Sequence, residues 1–210
     1  MNRPVLYDYW RSSAAYRVRI ALALKGVDWE SRPIDLAAGE QAGAAYRAVN
    51  PQGLVPALAV DGVLLTQSLA IIDYIDARWP EPRLIPADPA ARALAMARAL
   101  VIAADIHPIA NLRVLKALRG DFAASEPQVT AWIHRWIAAG FATLEAQAPA
   151  QGMLGGAAPD ISDLCLVPQV YNARRFGLPL DPFPRLVRID AALRELPAFA
   201  AAAPETVKPA

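Results

Sequence analysis

The stretch "WPEPRLIPADP" (residues 79–89) constrains this chain more than any other, because prolines at 80, 82, 86 and 89 fix φ and withhold amide hydrogens. Neither a helix nor a central strand can run through it, so the chain has to divide there. The two sides also differ in texture. Before the prolines, short apolar runs alternate with turn dipeptides; after them, alanine-rich segments repeat at the helical period. The sequence therefore predicts one unit over residues 1–87 and a second over 88–210.

In the first unit, "VLYDYW" (5–10) reads as a strand, Ser13 to Lys25 as a helix stopped by Gly26, and "WESRPIDL" (29–36) as a second strand. "LVPALAV" (54–60), the turn Asp61-Gly62 and "VLLTQS" (63–68) read as a hairpin, followed by a helix in "SLAIIDYIDARW" (68–79). A β-α-β unit followed by β-β-α is the thioredoxin-like order. The second unit shows only helical patterns, near 90–118, 125–147, 161–175 and 185–202. The predicted class is α/β plus all-α: a thioredoxin-like βαβββα domain, then a helical one.

Composition narrows the partners. A formal charge of +1 over 210 residues, with both signs mixed along the chain, argues against a nucleic-acid footprint or a polybasic membrane patch. The N-terminus lacks a charged-then-apolar leader pattern, the apolar runs read as too short to span a bilayer, and one cysteine makes no internal disulfide. A reducing cytoplasm and a small-molecule ligand are the expectations.

Chemistry concentrates where elements begin. After the first strand of a thioredoxin-like unit, a helix N-terminus faces the place where redox members carry two cysteines. This chain has Ser12-Ser13-Ala14-Ala15 there. It can exchange no disulfide, yet hydroxyls and helix amides at that end can stabilise a thiolate carried by a ligand. The plainer role of Ser12 or Ser13 is to cap the helix. In "NPQGLVPAL" (50–58), a cis Val55-Pro56 bond would turn the Val55 backbone toward an extended peptide, the plain alternative being a strand-start proline. In "TQSLAIIDYI" (66–75), Ser68 is expected to cap the next helix beside Gln67, with amides that can hold a carboxylate. Three such entries on one edge suit a short anionic peptide.

These segments carry a family resemblance. "RSSAAYRVRIALALKG" (11–26), "NPQGLVPAL", "TQSLAIIDYI" and "DLCLVPQVYNARRFGL" (163–178) resemble the zeta class of glutathione transferases, whose best-known members are maleylacetoacetate isomerases. The resemblance spans nearly the whole chain. It implies glutathione as coenzyme, with Ser12 at the thiolate, Ser13 and Ala14 lining the helix start, and Gln41 at the glycyl end. It further implies Val55 pairing with the cysteinyl backbone, Gln67 and Ser68 at the γ-glutamyl carboxylate, and Asn111 approaching from the helical domain. A homodimer is implied as well. Where many members read Ser-Ser-Cys, this chain reads Ser12-Ser13-Ala14, which rules out covalent chemistry at residue 14.

The implied reaction is conversion of maleylacetoacetate to fumarylacetoacetate in tyrosine and phenylalanine catabolism. A thiolate adds to the cis double bond, the bond rotates, and elimination leaves the trans product. Maleylpyruvate isomerisation, or conjugation and dehalogenation by the same glutathione site, are the alternatives. Fixed cations must support the carboxylates and the developing oxyanion, and arginine suits this by its bidentate fork. Arg11 and Arg175 are implied in the substrate pocket, and Arg113, in "IHPIANLRVL" (106–115), recurs in bacterial relatives including maleylpyruvate isomerases. Each arginine would otherwise be an ordinary helix-surface residue. His107 before Pro108 reads as a kink beside the cleft, His134 as a helix-surface residue, and Cys165 as a buried small hydrophobe. Asp160 and Asp163 read as a helix-capping box. No metal constellation is expected.

Overall fold

Four short strands form one mixed sheet in the order β2-β1-β3-β4: β1 (Val5–Asp8), β2 (Glu30–Pro33), β3 (Ala57–Val60) and β4 (Val63–Thr66). The structure, a computed structural model, describes residues 3–209. β1 and β2 run parallel, so a crossover has to join them, and α1 (Ser13–Leu24) supplies it. The helix stops where Gly26 takes φ +62°, a conformation open to glycine. β3 and β4 form the predicted antiparallel hairpin, which leads into α3 (Ser68–Arg78) by way of Thr66 and Gln67. Between β2 and β3 lie a 3-10 turn (Glu40–Ala42) and α2 (Ala44–Val49), which the sequence reading missed. Six residues are too few to show a helical period.

Register decides where the functional ends lie. Tyr7 pairs with Ala57, Ala57 with Thr66, and Asp8 with Pro33. The exits of β1, β2 and β4 and the entry of β3 therefore share one end of the sheet. α1 packs against α3, and Leu6, Val18, Leu22, Leu58, Ile71, Ile72 and Ile75 are fully buried around them. Truncating one such leucine or isoleucine to alanine costs about 2–5 kcal/mol.

The rest of the chain is helical, with α4 (Pro89–Leu100), a π turn (Val101–Ile106), a 3-10 turn (His107–Ala110), α5 (Leu112–Gly120), α6 (Glu126–Gln147), α7 (Ile161–Arg175) and α8 (Pro184–Arg194). Pro108 offers no amide to the preceding turn, so the backbone widens to π geometry before it, and regular α-helix gives way to a 3-10 turn at the His107-Pro108 step where the sequence predicts a kink. An ideal Cβ on Gly140 would lie 2.3 Å from Ile106 Cδ1, so glycine lets α6 approach this irregular turn. The run Pro89–Gly120 spans 32 residues with an 18-residue window of mean hydropathy 1.5, long and apolar enough to cross a membrane by length and composition. The expectation that no apolar run reaches that length is corrected. Much of its hydropathy is alanine, and within its own unit α4 packs on α7, with Arg98 Nη2 3.6 Å from Asp160 Oδ2.

The predicted helix over 185–202 is broken. Leu196, extended before Pro197, separates α8 from α9 (Pro197–Ala201), and α10 (Pro204–Val207) follows. The chain divides into two compact units, Met1–Leu84 with Glu195–Ala210, and Ile85–Arg194. The expected cut lay after residue 87; the observed one follows Leu84, whose amide donates to Asp76 Oδ1 at 2.7 Å. The segment from Glu195 groups with the first unit, where Tyr16 donates its hydroxyl to the Phe199 carbonyl at 3.4 Å.

Candidate functional site

At the start of α1, Ser12 is half-buried and does cap the helix. Its Oγ accepts the Ala15 amide at 3.2 Å, while its own N–H donates to the Tyr9 carbonyl at 2.8 Å. Capping uses only a lone pair, so the Ser12 O–H remains able to donate to an anion. No acidic residue stands in the first turn, which leaves the positive helix end uncompensated by a carboxylate of that turn. Ser13 is buried and Ala14 half-buried behind it. Arg11 is exposed, with its guanidinium carbon 5.1 Å above the Trp10 ring.

The loop before β3 is braced from beneath. Buried Asn50 donates from Nδ2 to the Leu54 carbonyl at 2.8 Å and accepts the Gln52 amide on Oδ1 at 3.1 Å; the Tyr46 hydroxyl donates to the same Leu54 carbonyl at 2.7 Å. Burial raises the Tyr46 pKa, which keeps it a donor. Val55-Pro56 is cis, and Val55 is half-buried. Gly53 has φ +64°, and a Cβ there would stand 2.8 Å from the Gln41 carbonyl oxygen. Only glycine lets the Gln41 turn lie against this loop. Gln41 Oε1 is itself buried and has no hydrogen-bond partner among the described residues.

Gln67 has φ +67° and ψ 114°, a region non-glycine residues rarely enter. Backbone held in this way marks a position that the surroundings over-determine. Its Nε2 donates to Gln52 Oε1 at 3.1 Å, joining it to the Asn50–Val55 loop. The expected cap at Ser68 is corrected: Gln67 occupies the N-cap position without a side-chain cap bond, and Ser68 is the first helical residue. The Ser68 Oγ instead accepts from Arg17 Nη1 at 3.2 Å. Sequence reasoning missed Arg17. The available signal was its place, with Arg19, inside the otherwise apolar run of α1; both are 1% exposed. Contacts thus link Gln41 to Gly53, Gln52 to Gln67, and Ser68 back to α1, all at the shared end of the sheet.

In the helical unit, Asn111 caps α5, accepting the Arg113 and Val114 amides on Oδ1 at 3.2 and 3.3 Å. Arg113 is exposed in the first turn of α5, where the helix dipole disfavours a cation. Arg175 is exposed in the last turn of α7, where the dipole favours one, and lies 4.4 Å from the Phe176 ring centroid. His134 is not a plain surface residue: its Nε2 is 2.7 Å from the Phe176 carbonyl oxygen, at the end of α7. Cys165 is buried. Asp160 and Asp163 form the capping box of α7, and Asp163 also accepts the Leu154 and Gly155 amides at 2.9 and 2.8 Å. Burial pushes the Asp163 carboxyl up to about 6.

The β2-β1-β3-β4 sheet, with an uncompensated helix start and a braced cis-proline loop at one end, is that of the N-terminal domain of a glutathione S-transferase, and the family of that description matches residues 11–78. A probable maleylacetoacetate isomerase of Vibrio cholerae is 50% identical over 206 residues, covering 96% of this chain and 95% of the relative. The holo structure of a maleyl pyruvate isomerase, a bacterial zeta-class glutathione S-transferase, has a TM-score of 0.95 at 44% identity, covering 97% of this chain and 98% of that one. A maleylacetoacetate isomerase of Anaeromyxobacter dehalogenans, with glutathione bound in its active site, has a TM-score of 0.88 at 43% identity over 98% of this chain and 97% of that one. The chain belongs to the maleylacetoacetate isomerase family, within the zeta class of glutathione transferases.

Proposed function

We propose that this chain isomerises maleylacetoacetate to fumarylacetoacetate with glutathione as coenzyme. The observation that carries the reading is the Ser12-capped, acid-free start of α1 on the sheet end where the Val55 and Gln67 segments also emerge. The residues fit the tripeptide. The buried, unpartnered Gln41 Oε1 can accept a peptide N–H, the acid-free start of α3 can receive a carboxylate, and the Ser12 O–H can donate to sulfur. When bound, glutathione supplies a thiolate that adds reversibly to the cis double bond and so permits rotation about it.

The chain's own residues do the rest. Ser12 and the α1 amides hold the sulfur as its anion, with Ser13 and Ala14 shaping the helix start. Val55 offers backbone to the cysteinyl unit, and Gln67 and Ser68 take the γ-glutamyl end. Asn111 is assigned to the tripeptide as well. Arg11 and Arg175 bind the substrate carboxylates and offset charge developing on the substrate oxygen, as fixed guanidinium forks do. Arg113 is assigned the same role, because a cation at the positive end of α5 gains nothing from its own helix.

Maleylpyruvate is the second substrate reading, favoured by the zeta-class maleyl pyruvate isomerase with TM-score 0.95. A homodimer in a reducing cytoplasm completes the proposal. Exposed Val63 and Leu64 on edge strand β4, and exposed Leu94 and Leu100 on α4, are apolar surfaces suited to a second copy, and light scattering reads that state directly. The test of function is a spectrophotometric assay of both maleyl substrates with and without glutathione. Saturable, glutathione-dependent formation of the trans product is expected; equal turnover without the tripeptide would refute the reading.

A further inference from the structure

We infer that Arg19 is a positioning residue for the sulfur end of the site: it fixes the Tyr9–Ser12 turn through the Trp10 carbonyl and ties that turn to the C-terminal segment through the Ala202 carbonyl. The inference rests on the glutathione site proposed above and adds a residue two helical turns beyond Ser12. One guanidinium reaches three separate pieces of chain. Nη1 donates to both Asp8 carboxylate oxygens at 2.8 Å, Nη2 to the Trp10 carbonyl at 2.9 Å, and Nε to the Ala202 carbonyl at 3.0 Å.

The placement of those acceptors gives the argument its direction. Asp8 ends β1, Trp10 lies inside the turn, and the Tyr9 carbonyl accepts the Ser12 amide at 2.8 Å. The strand end and the turn that delivers Ser12 are therefore held by neighbouring atoms of one rigid plane. Ala202 brings in the segment after α9, and Lys208 from the same segment sits 5.3 Å over the Trp10 ring. A buried ion pair is a weak source of stability, since desolvation cancels most of its attraction. What it supplies here is direction. A planar fork sends donors from three nitrogens in fixed directions, whereas an ammonium carries its three donors on one rotatable atom.

The test compares Arg19→Lys with the parent as full chains. In the absence of any ligand, hydrogen exchange at the Ser12 and Ala15 amides is expected to quicken about tenfold, the loss of roughly one hydrogen bond, with the Leu58 amide in β3 unchanged. Uniform acceleration of all three would make Arg19 a general stabiliser and overturn the inference. This arm needs no activity, so it still decides the matter if the isomerase reading fails. Where the parent does isomerise, Arg19→Lys is expected to lower kcat at saturating glutathione about tenfold, but less than twofold in a Ser12→Ala background. Equal losses in both backgrounds would contradict action through Ser12. Should Arg19→Lys not fold, Asp8→Asn removes the carboxylate that anchors the fork. Faster exchange confined to the Ser12 and Ala15 amides is expected there, and unchanged exchange at both would overturn the inference.

Discussion

In the first unit every group proposed for glutathione stands on backbone that is itself held, whereas in the second the arginines proposed for substrate stand exposed on helix ends. Ser12 sits in a turn fixed by Tyr9 and Trp10 carbonyl bonds, Val55 follows a loop braced by Asn50 and Tyr46, and Gln67 is kept at φ +67°. Arg113 stands exposed in the first turn of α5 and Arg175 in the last turn of α7. The difference suits the two partners. The tripeptide recurs in every turnover and gains from a prebuilt cradle, because ordering it beforehand removes that cost from binding. The substrate carboxylates are recognised by charge and by the bidentate fork of a guanidinium, which a side chain presented at a helix end can supply.

The contrast can be broken first at Ser12. Ser12→Ala is expected to lower the glutathione-dependent rate by about 1.5–3 kcal/mol in transition-state stabilisation, one charge-assisted hydrogen bond, with Ser13→Ala costing much less. Steady-state kinetics check it, and equal small losses would reduce Ser12 to the cap it also is. Next comes Arg175. Arg175→Ala should cost about tenfold in kcat/KM for maleyl substrate and Arg175→Lys less, with the KM for glutathione unchanged in both. If Arg175→Ala matches the parent, Arg113 at the unfavourable end of α5 takes the role.

A smaller effect is expected beneath the cradle. Asn50→Ala removes the bonds to Leu54 and Gln52, so calorimetry should find glutathione bound several-fold more weakly, at about 0.5–1.5 kcal/mol for a bond of this kind. The KM for maleyl substrate should not move. A shift in both constants would mean that the two sites are not independently built. The smallest effect on turnover, none, is expected at Asp163, whose contribution is to stability. Its folded pKa, about 6, lies above the ordinary carboxylate value of an unfolded chain, so the folded state binds the proton more tightly than the unfolded state. Its stabilising contribution is complete below the unfolded value and is lost as pH rises toward 6. Denaturant melts should show the advantage of the parent over Asp163→Asn shrinking across that window and staying flat above it.

The legible parts of the chain were those fixed by near neighbours in sequence. Gly26 ends α1, Asp61-Gly62 turns the hairpin, Asp160 and Asp163 box α7, and Pro108 interrupts its helix because each acts within a few residues. The positions that escaped depend on distant partners. The place of Ser68 before an apolar run suggests a cap, but Arg17, fifty-one residues away, claims its hydroxyl. His134 has the sequence neighbourhood of a surface residue because its partner, the Phe176 carbonyl, ends another helix. The break at Leu196-Pro197 was visible in principle, yet the alanine-rich period on both sides concealed it.

The central claim is that the fold itself, through Ser12 and the start of α1, holds the sulfur of glutathione as a thiolate. Titrating the thiolate ultraviolet absorbance of protein-bound glutathione against pH tests it directly. The account predicts a bound thiol pKa at least about one unit below the free value of ~8.5, moving back toward that value in Ser12→Ala. A bound thiol that titrates like free glutathione, with the same midpoint in parent and variant, would contradict it.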